Sequence, residues 1–87
     1  MSLHILNSAS SLSRCLFSLS DGDAIILIED AVVLAATQIT LQHHDISICA
    51  LCDDLDLRGI RPVSAVTPID YSGFVALCAQ HHHCLSW

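Results

Sequence analysis

Lysine is absent from this chain, and arginine occurs only as Arg14, Arg58 and Arg61, against nine aspartate and glutamate residues. Neutralising a nucleic-acid backbone requires a clustered basic face, which three cations cannot build, so direct nucleic-acid binding is not expected. Glycine is nearly as scarce, at three residues, and with no glycine-rich loop the familiar phosphate cradles are missing. No apolar run approaches the ~20 residues of a membrane helix. Serines interrupt Leu16, Phe17 and Leu19 and no basic segment precedes them, so neither a signal peptide nor membrane insertion is expected. Charged residues make up only 14 % of the chain, against about 25 % in an ordinary soluble domain.

What is present is apolar. Hydrophobic residues are 53 % of 87, and a chain of this size buries only about 60 to 65 % of the surface its unfolded form exposes. Apolar side chains therefore remain outside after folding, and permanent association with other chains is the expected remedy. The five cysteines are odd in number and lie among core-like positions rather than in a secreted framework. They read as reduced thiols, which implies a cytoplasmic protein.

The run Asp23-Ala-Ile-Ile-Leu-Ile-Glu-Asp30 is aliphatic throughout its middle, as in a strand buried on both faces of a parallel sheet. Residues 31 to 36 stay apolar and no charge follows until Asp45, so a helix from Asp30 to about Gln42, buried all round, is expected there. Asp30 stands where it would cap that helix. Leu3 to Leu6 reads as a first strand, followed by a helix through Leu12, Leu16 and Leu19 capped by Ser8 or Ser10, and Asp21-Gly22-Asp23 turns the chain. Ile46 to Leu51 is a further strand, followed by a short helix that Gly59 stops, with Arg61-Pro62 as a break. Val66 to Ile69 is a last short strand. Asp70 then caps a helix from Tyr71 to about His82 that buries Phe74, Val75, Leu77 and Cys78. Alternation of strands and helices predicts an α/β fold: a single domain over residues 1–87 with a small doubly wound, mostly parallel sheet of about four strands and helices on both faces.

Several groups have the look of chemistry. Cys49 and Cys52 have redox or metal spacing, but on a strand residues three apart point to opposite faces, which favours packing. His81, His82, His83 and Cys84, with His43 and His44, could supply zinc ligands, although consecutive helical residues diverge by about 100°. Glu29 and Asp30 lie at a strand's carboxyl end, where α/β sheets bind ligands and an acid and base pair would sit. Asp53, Asp54 and Asp56 read as a solvated helix start. Cys15 is either a small apolar residue at a helix interface or a reactive thiol. No convergent catalytic or metal set emerges, and no cofactor is expected.

Three blocks together resemble the TusB/DsrH family of sulfur-relay subunits: Gly22-Asp23 through Glu29-Asp30-Ala31-Val32; Leu51 through Arg58-Gly59-Ile60; and Ile69-Asp70-Tyr71 with Phe74-Val75, Leu77, His81 and Ser86-Trp87. Their order spans nearly the whole chain. The resemblance implies a DsrEFH-like fold and a non-catalytic subunit that joins TusC-like and TusD-like subunits in a heterohexamer. That complex would take persulfide sulfur from carrier proteins and relay it toward 2-thiouridine at the tRNA wobble position. DsrH-type relatives carry a cysteine in the first helix where Cys15 falls, which makes it the candidate persulfide carrier. Two alternatives stand beside this reading: a sulfurtransferase carrying persulfide on Cys15, Cys78 or Cys84, and a small Cys/His metal-binding module. Tyr71, Phe74 and Trp87, with Val32 and Val33 on the apolar segment, are the expected interface residues, because large aromatics dominate interface energetics.

Overall fold

A computed structural model describes residues 1–39, 41 and 45–87. Its centre is a sheet of five strands: β1 (Ser2–Leu6), β2 (Ala24–Leu27), β3 (Ser47–Leu51), β4 (Val66–Ile69) and β5 (His83–Ser86), in the order β4-β3-β2-β1-β5. Every pairing is parallel. The helices are α1 (Ser11–Ser18), α2 (Cys52–Leu57) and α3 (Tyr71–Gln80), and a 3-10 helix covers Glu29–Ala36. The α/β, doubly wound reading holds, with one strand more than expected.

β2 is buried along its whole length because it sits in the middle of the sheet with both faces covered. Ile25 and Leu27 enter one core with Leu6, Cys15, Val32, Ile48, Leu55 and Val66, while Ala24 and Ile26 join Leu3 on the opposite face. The chain steps from β1 to β4 in one direction, with α1, the 3-10 helix and α2 over the first face. The return from β4 to β5 runs the opposite way, and right-handed crossovers then require α3 to lie on the second face. There Phe74, Leu77 and Cys78, spaced as one helical face, pack on Ile26, Leu3 and Ile69.

Four expectations change. The apolar segment is not an α-helix: Glu29 adopts a left-handed φ of 51°, and closure through Ala31 N–H to Ile28 O and Thr37 N–H to Leu34 O gives a 3-10 helix. Its projected end at Gln42, with His43 and His44, lies outside the described residues. Asp30 caps nothing, because the left-handed turn aims its carboxylate outward to Arg58 Nη2 at 2.8 Å. Asp54 from α2 instead accepts the Glu29 N–H at 2.7 Å. Ser8 and Ser10 do not cap α1 either, since the Ser8 hydroxyl turns to those of Ser10 and Ser11, at 3.2 and 2.8 Å.

The fourth change is at the end of the chain. α3 stops at Gln80, not His82, and residues 83–86 cross to the free edge of β1 as β5. The Val75 side chain, expected inside, is 54 % exposed because α3 turns only its 74, 77 and 78 stripe inward. Other expectations hold: the Asp70 carboxylate accepts the Gly73 N–H at 2.7 Å and caps α3. Gly59, at φ 63°, ends α2 with Ile60 N–H donating to Leu55 O and its own N–H to Asp56 O, a Schellman closure.

Candidate subunit interface

α3 is the least satisfied element. Its ten residues, YSGFVALCAQ, carry no charge and none of them is buried. A helix apolar all round is stable only when covered on more than one side. One side rests on the sheet; the other offers Tyr71 at 64 % exposure, with Val75 one turn on. The Tyr71 ring is braced edge-on against Phe74, with centroids 6.1 Å apart at 86°, so the exposed aromatic is oriented before any partner arrives. Phe74 itself is half-buried beneath it.

The helical layer on the first face has exposed apolar groups too: Phe17 on α1, Val33 on the 3-10 helix and Leu57 on α2. Val32, its neighbour, is fully buried in the chain's own core. The 3-10 winding turns it under the segment, so it has no surface for a partner. Trp87 is half-buried and bound internally. Its indole N–H donates to His4 Nδ1 at 3.1 Å, its ring stacks on the imidazole at 6.2 Å and 14°, and its backbone is held by Ile5 O and the Ser11 hydroxyl.

That contact opens onto a polar chain that the sequence reading passed over. His4 is fully buried in β1, and its Nε2 lies 2.8 Å from Asp23 Oδ2. Because the indole can only donate, Nδ1 accepts, and the imidazole proton sits on Nε2 and is donated to Asp23. The carboxylate also accepts the Ser2 and Ser20 N–H groups at 2.8 and 3.0 Å. Burial pushes the Asp23 carboxyl up, but these hydrogen bonds outweigh it and hold the group below its ordinary value. A histidine inside the otherwise apolar Leu3-His4-Ile5 was the available signal.

Apart from Cys78 and Cys84, the cysteines are dispersed. Cys15 is fully buried, and burial, with the Asp23 charge second, pushes its thiol up to about 11. It is protonated at neutral pH and has no exposed surface. Cys49, raised by burial, packs against the second face while Cys52 opens α2 on the first. Cys78 is half-buried on α3 and Cys84 exposed on β5. His81, past the end of α3, donates from Nδ1 to Leu77 O at 2.8 Å, and His83 opens β5. Among the described residues, no three His, Cys, Asp or Glu side chains are grouped as a metal ion needs. His43 and His44 lie outside them.

Acidic residues gather at the carboxyl ends of the strands: Glu29 and Asp30 after β2, Asp53, Asp54 and Asp56 after β3, Asp70 after β4. Arg58 partly offsets them, reaching Asp30 at 2.8 Å and Asp54 at 3.7 Å. The Asp30 carboxylate is thus tied into a structural network through Arg58, while Glu29 joins it through its backbone N–H alone. The chain leaves β3 for one face and β4 for the other, which makes this edge the topological switch point, and its rim is negative.

Residues 7–84 match the family described as DsrH like protein. The chain belongs to the DsrH-like family. Curated relatives agree: Protein TusB of Escherichia coli O1:K1 is 35 % identical over 75 residues, covering 79 % of each chain. Protein TusB of Shigella flexneri is 33 % identical and that of Escherichia fergusonii 35 %, with the same coverage. In this DsrH-like chain the first and last strands are joined physically, since Ile5 on β1 and Ser86 on β5 are neighbours in the sheet. Among the described residues no helix is long and apolar enough to cross a membrane.

Proposed function

We propose that this DsrH-like chain is a non-catalytic subunit of a cytoplasmic sulfur-relay complex that serves tRNA modification. It joins TusC-like and TusD-like subunits in a heterohexamer through α3, and the complex passes persulfide sulfur toward 2-thiouridine at the wobble position. The observation that carries this reading is α3, an uncharged helix with no buried residue and with Tyr71 and Val75 turned outward. Desolvating such a surface against a partner is worth about 25 cal/mol per Å² of apolar area. The family membership supports the pathway, and the relatives' shared name supports the subunit type. The buried, protonated Cys15 supports a packing role for this residue, and the negative carboxyl edge repels RNA phosphate, so other subunits make the contact with tRNA.

The test is co-expression with TusC-like and TusD-like proteins from the same organism. Co-elution in one complex, lost with Tyr71→Asp plus Val75→Asp while Cys15→Ser retains both the complex and tRNA thiolation, is the expected result. Elution of the unsubstituted chain apart from both partners would end the proposal.

A further inference from the structure

Cys78 and Cys84 meet where α3 ends and β5 begins. The Cys84 Sγ lies 3.9 Å from the Cys78 carbonyl oxygen, and both residues are free thiols. Parallel pairing puts Cys84 beside Leu3 on the face that α3 covers, the face on which Cys78 packs. Only the turn through His81 and His82 separates the two elements, so β5's attachment to β1 holds the Cys84 thiol against the Cys78 backbone. Cys84 is exposed and Cys78 half-buried, so the two thiols differ in access to solvent.

We propose that Cys84 and Cys78 form a redox-active dithiol that reacts with the sulfur–sulfur bond of a small disulfide or persulfide. The Cys84 thiolate attacks one sulfur of the bond, forms a new sulfur–sulfur bond and expels the other half as a thiol. The Cys78 thiolate then attacks the Cys84 sulfur, closes the Cys78–Cys84 disulfide and releases the remaining half. The dithiol loses two electrons and two protons, and the substrate's sulfur–sulfur bond receives them. A disulfide substrate yields two thiols, and a persulfide yields one thiol and sulfide.

The pair is suited to this order. Burial raises the Cys78 pKa first, and the Cys84 charge and a side-chain hydrogen bond with Cys84 raise it further. Capping Cys84 removes its charge and its S–H, so the last two influences vanish when Cys78 must attack. The resulting disulfide would staple edge strand β5 to α3.

The test uses the full-length chain with oxidised glutathione in one arm and glutathione persulfide in the other, followed by non-reducing peptide mapping. The expected product is a Cys78–Cys84 linked peptide with no glutathione retained. Cys78→Ser stops at a glutathione or persulfide adduct on Cys84, and Cys84→Ser gives neither product. Circular dichroism of both variants confirms the fold. The arm that yields the linked peptide identifies the substrate, with free sulfide accompanying linkage in the persulfide arm. Absence of linkage in both arms, or oxidation of Cys78 that persists in Cys84→Ser, would overturn the proposal.

Discussion

Replacing Asp23 with Asn tests the buried polar chain directly. One carboxylate oxygen takes the Ser2 N–H at 2.8 Å, and the other takes His4 Nε2 at 2.8 Å and the Ser20 N–H at 3.0 Å. An amide has only one oxygen, so its NH2 group must face at least one of these donors whichever way it is turned. The gentler orientation keeps the His4 and Ser20 bonds and sets the NH2 against the Ser2 N–H. A hydrogen bond to a charged group contributes about 1.5–3 kcal/mol, and stranding a buried donor adds to its loss, so Asp23→Asn should cost about 2–4 kcal/mol. Stability for a chain of 87 residues is about 4–13 kcal/mol, which makes this a large fraction. Thermal melting should fall by at least about 8 °C. The pH profile gives a second readout. Because folding lowers the Asp23 pKa from 3.8, its contribution is complete above that value and disappears as pH falls through the lower folded value. Asp23→Asn should lack that component of acid sensitivity. Unfolding free energies from urea titration that agree within about 0.5 kcal/mol at pH 7 would show that the network is not a stabilising one.

Trp87→Phe keeps a ring against His4 but leaves Nδ1 without a donor in a fully buried site, so stability should drop by about 1–3 kcal/mol. Faster amide exchange in β5 than in β2 would accompany it. Raising pH should weaken the fold through Cys15: its thiol ionises at 9.0 when unfolded and at about 11 in the fold, so the protonated core is favoured below 9.0 and that advantage is lost above it. Denaturant midpoints of the native chain and Cys15→Ala, compared from pH 8 to 10.5, should converge or cross, and parallel profiles would contradict the burial argument. The isolated chain should self-associate by light scattering, and Tyr71→Ser with Val75→Ser should abolish this at a stability cost of about 0.5–1.5 kcal/mol from the lost Tyr71–Phe74 ring contact. Unchanged association would place the sticky surface elsewhere.

The parts of this fold that could be read from sequence are those with local causes. Asp70 three residues before Gly73, and Gly59 after Arg58, announce helix ends through contacts within one turn. The aliphatic Ile25 to Leu27 announces a central strand because burial on both faces removes alternation. The segment after it was misread because composition cannot separate a long buried α-helix from a 3-10 helix. What decides is Glu29's left-handed turn and an amide partner on α2, Asp54, twenty-five residues away. β5 was missed for a similar reason. His83-Cys84-Leu85-Ser86 is exposed at all four positions, so it leaves no pattern in the sequence and is a strand only because β1 has a free edge. The site followed suit: Tyr71 and Phe74 were legible as aromatics on a helix, whereas Val32's burial and the His4, Asp23 and Trp87 contacts depend on tertiary placement.

The pairing of β1 with β5 also sets a clock on the chain. His4 and Trp87 are 83 residues apart, so during synthesis β1 must wait, with one edge unpaired, until the residues between them have been made. The second face waits with it, because α3 cannot lie down before β4 is placed. A nascent chain in that interval shows an open strand edge beside a bare apolar face, the combination that draws in other chains. Neighbouring subunits made at the same time and place would be well positioned to arrive before strangers do.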